Sequence, residues 1–210
     1  MGSACRFSIL LLLFAACRTP ASVSTAGFFF AEGSFTLPAE ATAGLGGPLT
    51  EADMTTIRQI SRRELERAFA GLRIAVSDDR RAFYRVEVVP TLRPRGPLPN
   101  SGESLALGFL GGAGAVGFDI VALKAVQFAP TGASRQAMIE GIGRGVGRVA
   151  AHEFAHQIVG AAPMHNTADE SSYEYPSPDR AAQYYGELHW TTAGPLLQRK
   201  LGKSITQEAR

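Results

Sequence analysis

The apolar positions of this chain change their period several times, and each change marks an element. From Thr50 onward, Met54, Ile57, Ile60, Leu65, Ala68 and Phe69 recur mostly at three- and four-residue intervals, the stripe of an amphipathic helix. Thr50 with Asp53 supplies a start signal, and Gly71 a stop. Residues 72–76 and 82–89 then read as strands, with Asp78 and Asp79 as the turn of a hairpin and Pro90 as its end. Residues 91–103 are rich in proline and suit an exposed loop, in which Arg93 and Arg95 are solvated charges. Residues 105–117 are apolar and rich in glycine, and 118–128 are dense in β-branched and aromatic side chains, so both read as extended. Together these segments predict a sheet of about four or five strands.

Residues 130–134 form a turn and cap ahead of a helix over 135–159, with Met138, Ile142, Val146 and Val149 along one stripe. Gly141, Gly143, Gly145 and Gly147 interrupt that helix, and each costs about 1 kcal/mol relative to alanine. The expected compensation is close packing, with the glycines letting the helix lie against the sheet. A phosphate-cradling loop is excluded by the spacing, which fits neither G-x-G-x-x-G nor the P-loop pattern. The predicted class is α+β: a small mixed sheet packed on two long helices, with a small irregular or helical C-terminal part.

Ahead of the first long helix the pattern is different. Arg6 precedes an unbroken apolar run over 9–16 that ends at Cys17, the layout of an export signal and too short for a permanent span. Phe14-Ala15-Ala16-Cys17 resembles a bacterial lipoprotein cleavage box, with Phe14 where leucine is usual. Cys5 would leave with the signal, and no cysteine follows Cys17, so a lipidated Cys17 accounts for the count better than a disulfide does. The alternative is cleavage after Ala26 and a freely secreted product. Residues 18–48 read as a tether interrupted by Phe28-Phe29-Phe30, a short strand or surface plug, and 49–210 as one domain.

Composition narrows the partners. Of 210 residues, 45% are hydrophobic and 19% charged, with a formal net charge of +2; the chain is globular in character, and no basic block points to nucleic acid. The membrane enters only through the N-terminal lipid or signal, and the domain is expected to act as a monomer.

The chemistry lies in Ala151-His152-Glu153-Phe154-Ala155-His156-Gln157, an H-E-x-x-H pattern. On a helix, four residues turn the backbone by about 400°, so both imidazoles return to one face about 6 Å apart along the axis. They can therefore share one metal ion. Glu153 follows His152 by about 100°, the position of a general base beside a metal-activated water. Zinc hydrolases normally use three protein ligands and an open position. The candidates for the third ligand are His165 and the carboxylates Asp169, Glu170, Glu174 and Glu187, with His165 favoured and Glu187 or Glu174 as rivals. Asp169 is alternatively an orienting partner of a ligand histidine. His189 reads as a packed or surface histidine, and Trp190 as a core anchor.

Residues 151–175 resemble the metzincin zinc peptidases, whose signature is H-E-x-x-H-x-x-G-x-x-H followed by a tight methionine-containing turn. Gly160 would end the helix and return the chain to His165. Eight residues separate His156 from His165 where the family has five, and the glycine falls one place late. Ser171-Ser172-Tyr173-Glu174-Tyr175 looks like the family's S-x-M-x-Y turn, with Tyr173 in the methionine's place and Tyr175 matching a tyrosine near the metal. The resemblance implies a zincin-like fold, Zn²⁺ on His152, His156 and His165, Glu153 as general base, Tyr175 as oxyanion donor, and hydrolysis of a peptide or protein substrate. It also implies an edge strand that binds substrate, within residues 105–120. The missing methionine and longer loop leave a second function open, a surface binding or scaffold protein that keeps the fold without turnover. An open coordination position in a cleft faced by Glu153 distinguishes the two.

Overall fold

The computed structural model describes residues 23–93, 101–106 and 111–204, so the signal segment and Cys17 lie outside the described residues. Within them the chain is α+β. Five strands form one mixed sheet: β1 (Ser24–Phe30), β2 (Ile74–Ser77), β3 (Tyr84–Val89), β4 (Gly102–Ala106) and β5 (Gly112–Gly117). Their order is β2-β1-β3-β5-β4, parallel throughout except for β4, which runs antiparallel to β5 along the edge.

The helix expected from Thr50 is α2 (Glu51–Ala68). Thr50 and Asp53 form a reciprocal capping box, which satisfies two otherwise unpaired donors. Its apolar stripe, Ile57, Ile60 and Leu65, is buried with Ser61 and Glu64. The second long helix, α4 (Arg135–Val159), has the expected bounds and starts on Ser134, whose hydroxyl accepts from the Ala137 N–H. It packs on α2 and on the sheet and fills the centre of the domain, with Ile139, Ile142, Val146, Ala150 and Phe154 sealed from solvent.

Four expectations need correcting. The stretch expected as a tether carries β1 and the short helix α1 (Ala39–Gly44). Of the two readings of Phe28-Phe29-Phe30 the strand holds and the surface plug does not: the run lies in an interior strand, and Phe28 is a core residue. A cut after Ala26 would split this strand, because Ala26 is buried and paired with both Val76 and Tyr84.

β2 and β3 are not a hairpin. β1 lies between them, parallel to both, and the link through Asp79 crosses over Gly27 so closely that a Cβ there would collide with the Asp79 carbonyl oxygen. That is why the small residues of β1, which look like loop in isolation, belong to a strand.

Residues 118–128 are not extended but form α3 (Phe118–Gln127). Phe118, Val121, Ala122 and Ala125 are its buried positions, spaced three and four apart, so helical burial overrode the β-branched content.

The glycines of α4 permit close approach, but not to the sheet. Gly143 and Gly147 abut Ile57, Ile60, Ser61 and Glu64 of α2, whereas Gly141 and Gly145 abut Tyr185 and Tyr184. These tyrosines belong to α5 (Ala182–Tyr185), which with α6 (Ala193–Leu201) makes up the C-terminal part. Arg148 ties the layers together: its buried guanidinium donates to Glu64 at 2.8 Å and to the carbonyls of Ala182, Gln183 and Gly186 at 2.9 to 3.2 Å. A buried cation needs this many acceptors.

Candidate metal centre

The last two turns of α4 present His152, Glu153 and His156. Gly160 stops the helix at φ 84°, a value that favours glycine, and its N–H donates to the His156 carbonyl. The chain then doubles back over the buried Pro163 and Met164 to His165. His165 has φ 63° and is the one non-glycine residue with positive φ among the described residues. The strain is held by a 3.0 Å hydrogen bond from its N–H to the Glu174 carbonyl.

The outcome is a tripod. Nε2 of His152 lies 2.8 Å from Nε2 of His165 and 3.1 Å from Nε2 of His156, and the third side of the triangle is 3.4 Å. Three histidines thus stand close enough to bind one metal ion. Nδ1 of His152 sits 2.6 Å from the Tyr173 carbonyl, an acceptor only, so Nδ1 carries the hydrogen and the neutral ring turns a lone pair of Nε2 to the centre. Burial, aided by neighbouring His156, His165 and Arg180, lowers the His152 pKa to about 3. His156 is lowered to about 4 by burial and by His165, and burial lowers His165 as well. All three rings are therefore neutral near pH 7, the form that ligates metal.

The histidines line an open cleft of about 360 Å³ together with Glu153, Val149, Tyr173 and Tyr175. Ser101 with Gly102, Glu103 and Ser104 of β4 also line it, as do Pro176, Ser177, Pro178 and Gln183. Gly102 is needed at its place, because a Cβ there would overlap the Glu153 carboxylate. Burial, and secondarily the charge of Glu103, raises the Glu153 pKa to about 8. The carboxyl group thus exchanges protons near neutrality.

The other candidate ligands are engaged elsewhere. Glu174 is fully buried, and its two oxygens accept from the N–H groups of Thr191, Thr192 and Ala193 at 2.7 to 2.9 Å and from the Thr191 hydroxyl at 2.7 Å. It caps the start of α6, where the helix dipole also favours an anion. Glu187 is exposed and paired with Arg67 at 2.8 Å. Asp169 holds a turn through Ser171 and pairs with His189 at 3.0 Å, so it orients no ligand histidine. Glu170 belongs to no metal-competent group among the described residues.

Comparison of the chain with protein-family models, curated proteins and solved structures returns no match.

Further residues complete the centre. Tyr173 is buried at the cleft, tilted against Trp190 with ring centroids 4.7 Å apart. Trp190 packs on Phe69 and donates its indole N–H to the Ala68 carbonyl, the anchor expected of it. Tyr175 lines the cleft with its ring 4.6 Å from the Arg180 guanidinium. Arg180 and Gln183 carry no local motif. Arg180 is buried and donates to the carbonyls of Ser172 and Ser177 and to the Gln183 side chain. Its place becomes visible only once the chain is folded.

Proposed function

We propose that this chain is a zinc-dependent peptidase of metzincin-like, zincin-like build, exported and held at a bacterial cell envelope by a lipid on Cys17. The observation that carries the reading is the convergence of three neutral imidazoles and one buried carboxyl group on a single open cleft. Tetrahedral zinc with Zn–N of about 2.0 to 2.1 Å sets its nitrogens about 3.3 Å apart. The triangle of 2.8, 3.1 and 3.4 Å is close to that size. The donor set of three histidines with an open side is that of hydrolytic zinc centres.

Bound there, zinc supplies Lewis acidity for an attacking water and for the carbonyl it attacks. Glu153 takes the proton of that water on a carboxylate oxygen and hands it to the leaving amine nitrogen. Its low-dielectric surroundings keep the acid and base forms close in energy, which both halves of the relay require. The Tyr175 hydroxyl donates to the developing oxyanion, its ring held beneath Arg180.

The edge strand β4 gives the substrate its place. β4 closes the strand order of the described residues, and a peptide in the cleft would lie in extended form along this edge. Residues 102–104 also line the cleft, so a peptide on that edge passes the histidines. An open cleft faced by Glu153 favours turnover over the scaffold reading.

The test is metal analysis of the purified chain followed by peptide-library cleavage. One zinc per chain and cleavage by the wild type are expected, and Glu153→Gln should keep zinc while losing about 10² to 10⁴ in kcat. Undiminished cleavage by Glu153→Gln excludes the mechanism.

A further inference from the structure

The lining of the cleft includes a polar group that neither metal binding nor proton transfer uses. Gln183 is 95% buried, its exposure being 5%. Its Oε1 accepts a 2.9 Å hydrogen bond from Nη2 of Arg180. Guanidinium groups only donate, so this contact fixes which end of the carboxamide is oxygen and which is nitrogen.

The Gln183 Nε2 group has no hydrogen-bond partner among the described residues. Nor is it sealed in, because the side-chain polar atoms without partners and without solvent contact are Arg180 Nε and Tyr184 OH. Gln183 lines the cleft, the space in which an Nε2 that keeps solvent contact would meet a ligand. The group is also rigidly mounted. The Gln183 carbonyl accepts from Arg148 of α4, one turn before His152, and Arg180 simultaneously grips Ser177 of the same lining. Val149, Pro176 and Pro178 supply apolar surface to the same cleft.

An oriented donor in a cleft with apolar surface suits a methylene stem that ends in an acceptor oxygen. The geometry points to Gln183 as a specificity-determining residue whose Nε2 recognises a glutamine or glutamate side chain of a peptide lying in the cleft. This inference rests on the peptidase reading above. The carboxamide and the carboxylate share the acceptor that Nε2 reads. They differ in charge, and the charges near them are the Arg180 cation bonded to Gln183 and the carboxyl groups of Glu103 and Glu153, which line the same cleft. A buried donor left without an acceptor disfavours an apolar side chain of equal size.

The experiment uses the zinc-loaded chain and a series of amino-acid hydroxamates whose chelating end takes the metal and whose side chains are those of glutamine, glutamate, leucine and lysine. Binding is read by calorimetry, independently of turnover. The glutamine or glutamate probe should bind about tenfold more tightly than leucine, and comparison of these two identifies the preferred charge state. Gln183→Leu should abolish that preference. Gln183→Glu retains an acceptor for Arg180 and presents an oxygen to the cleft, so the preference should move to lysine; this variant preserves the test if Gln183→Leu does not fold. Equal wild-type affinity for all four probes, an unchanged order in the variants, or no probe binding to zinc-loaded chain overturns the assignment. A chain that holds no zinc overturns the proposed function itself. Selective probe binding without peptide cleavage removes the peptidase reading and leaves the subsite standing.

Discussion

The Nδ1 atom of His152 faces the carbonyl oxygen of Tyr173 at 2.6 Å, and this single contact decides which nitrogen of the ring turns to the three-histidine centre. It links α4 to the turn that carries Tyr173 and Glu174. The turn residue needs a carbonyl in that place and a side chain that packs, and Tyr173 supplies both, with its ring against Trp190. On the proposed metzincin-like reading, tyrosine in place of the turn's methionine therefore removes no donor from the site.

If the tripod is the metal site, its members are not interchangeable with the nearby carboxylates. Removing an outer partner of a ligand histidine costs about 10- to 100-fold in metal affinity, so His156→Ala and His165→Ala should each weaken zinc by at least about a hundredfold. Competition with a chromophoric chelator measures this. Wild-type affinity in His165→Ala would mean that another residue is the third ligand.

Glu174 provides the opposite expectation. Its carboxylate satisfies three backbone N–H groups and one hydroxyl at the start of α6, so Glu174→Ala leaves buried donors unpaired. A loss of about 3 kcal/mol in unfolding free energy follows, read from urea denaturation, while the folded fraction keeps its zinc. The milder Glu174→Gln separates the two roles, because it retains the fold better and should hold zinc with wild-type affinity. A folded Glu174→Gln that has lost zinc would restore Glu174 as a ligand.

What could be read in advance was the chemistry encoded locally. His152 and His156 meet because a helix returns every fourth residue to one face, and the capping box and stripe of α2 are likewise local. Features set by distant chain were hidden. Gly27 looks like linker until Asp79 crosses above it, and Phe118 to Ala125 looks like strand until its buried positions are known. Glu174 appears as a candidate ligand until α6, with its unpaired N–H groups, arrives beside it. Gln183 acquires a direction only from Arg180 and Arg148.

The metal-free chain should have a stability maximum near pH 6.5. His152 and His156 fall from the ordinary 6.5 to about 3 and about 4, so below 6.5 the unfolded chain binds more protons and stability drops as pH falls. Glu153 moves the other way, from 4.5 to about 8. Between these values the folded chain holds the extra proton, and stability drops as pH rises. From pH 4.5 to 6.5 the two histidines outweigh the one carboxyl, and above 6.5 the carboxyl increasingly dominates as the unfolded histidines lose their protons. Thermal midpoints of metal-free chain across pH 5 to 8.5 test this, and Glu153→Gln should lose the alkaline decline. A decline that survives in that variant assigns it to other groups.

Gly147 sits where α4 presses on α2, and here helix propensity and packing pull in opposite directions. Alanine is favoured over glycine in a helix by about 1 kcal/mol. A Cβ on Gly147, however, would overlap the Ser61 carbonyl oxygen and stand 2.9 Å from Glu64 Cβ. Neither neighbour yields easily: the first is helix backbone, and the second belongs to the side chain that pairs with buried Arg148 at 2.8 Å. Overpacking of this kind costs about 1 to 3 kcal/mol or more, and separation of Glu64 from Arg148 adds to it. Gly147→Ala should therefore lower unfolding free energy by about 2 kcal/mol, seen as a lower urea midpoint at unchanged slope. Because Arg148 lies one turn ahead of His152, zinc affinity should fall in the same variant. A Gly147→Ala chain as stable as the wild type would show that α2 and α4 separate at little cost, which the Glu64–Arg148 pair argues against.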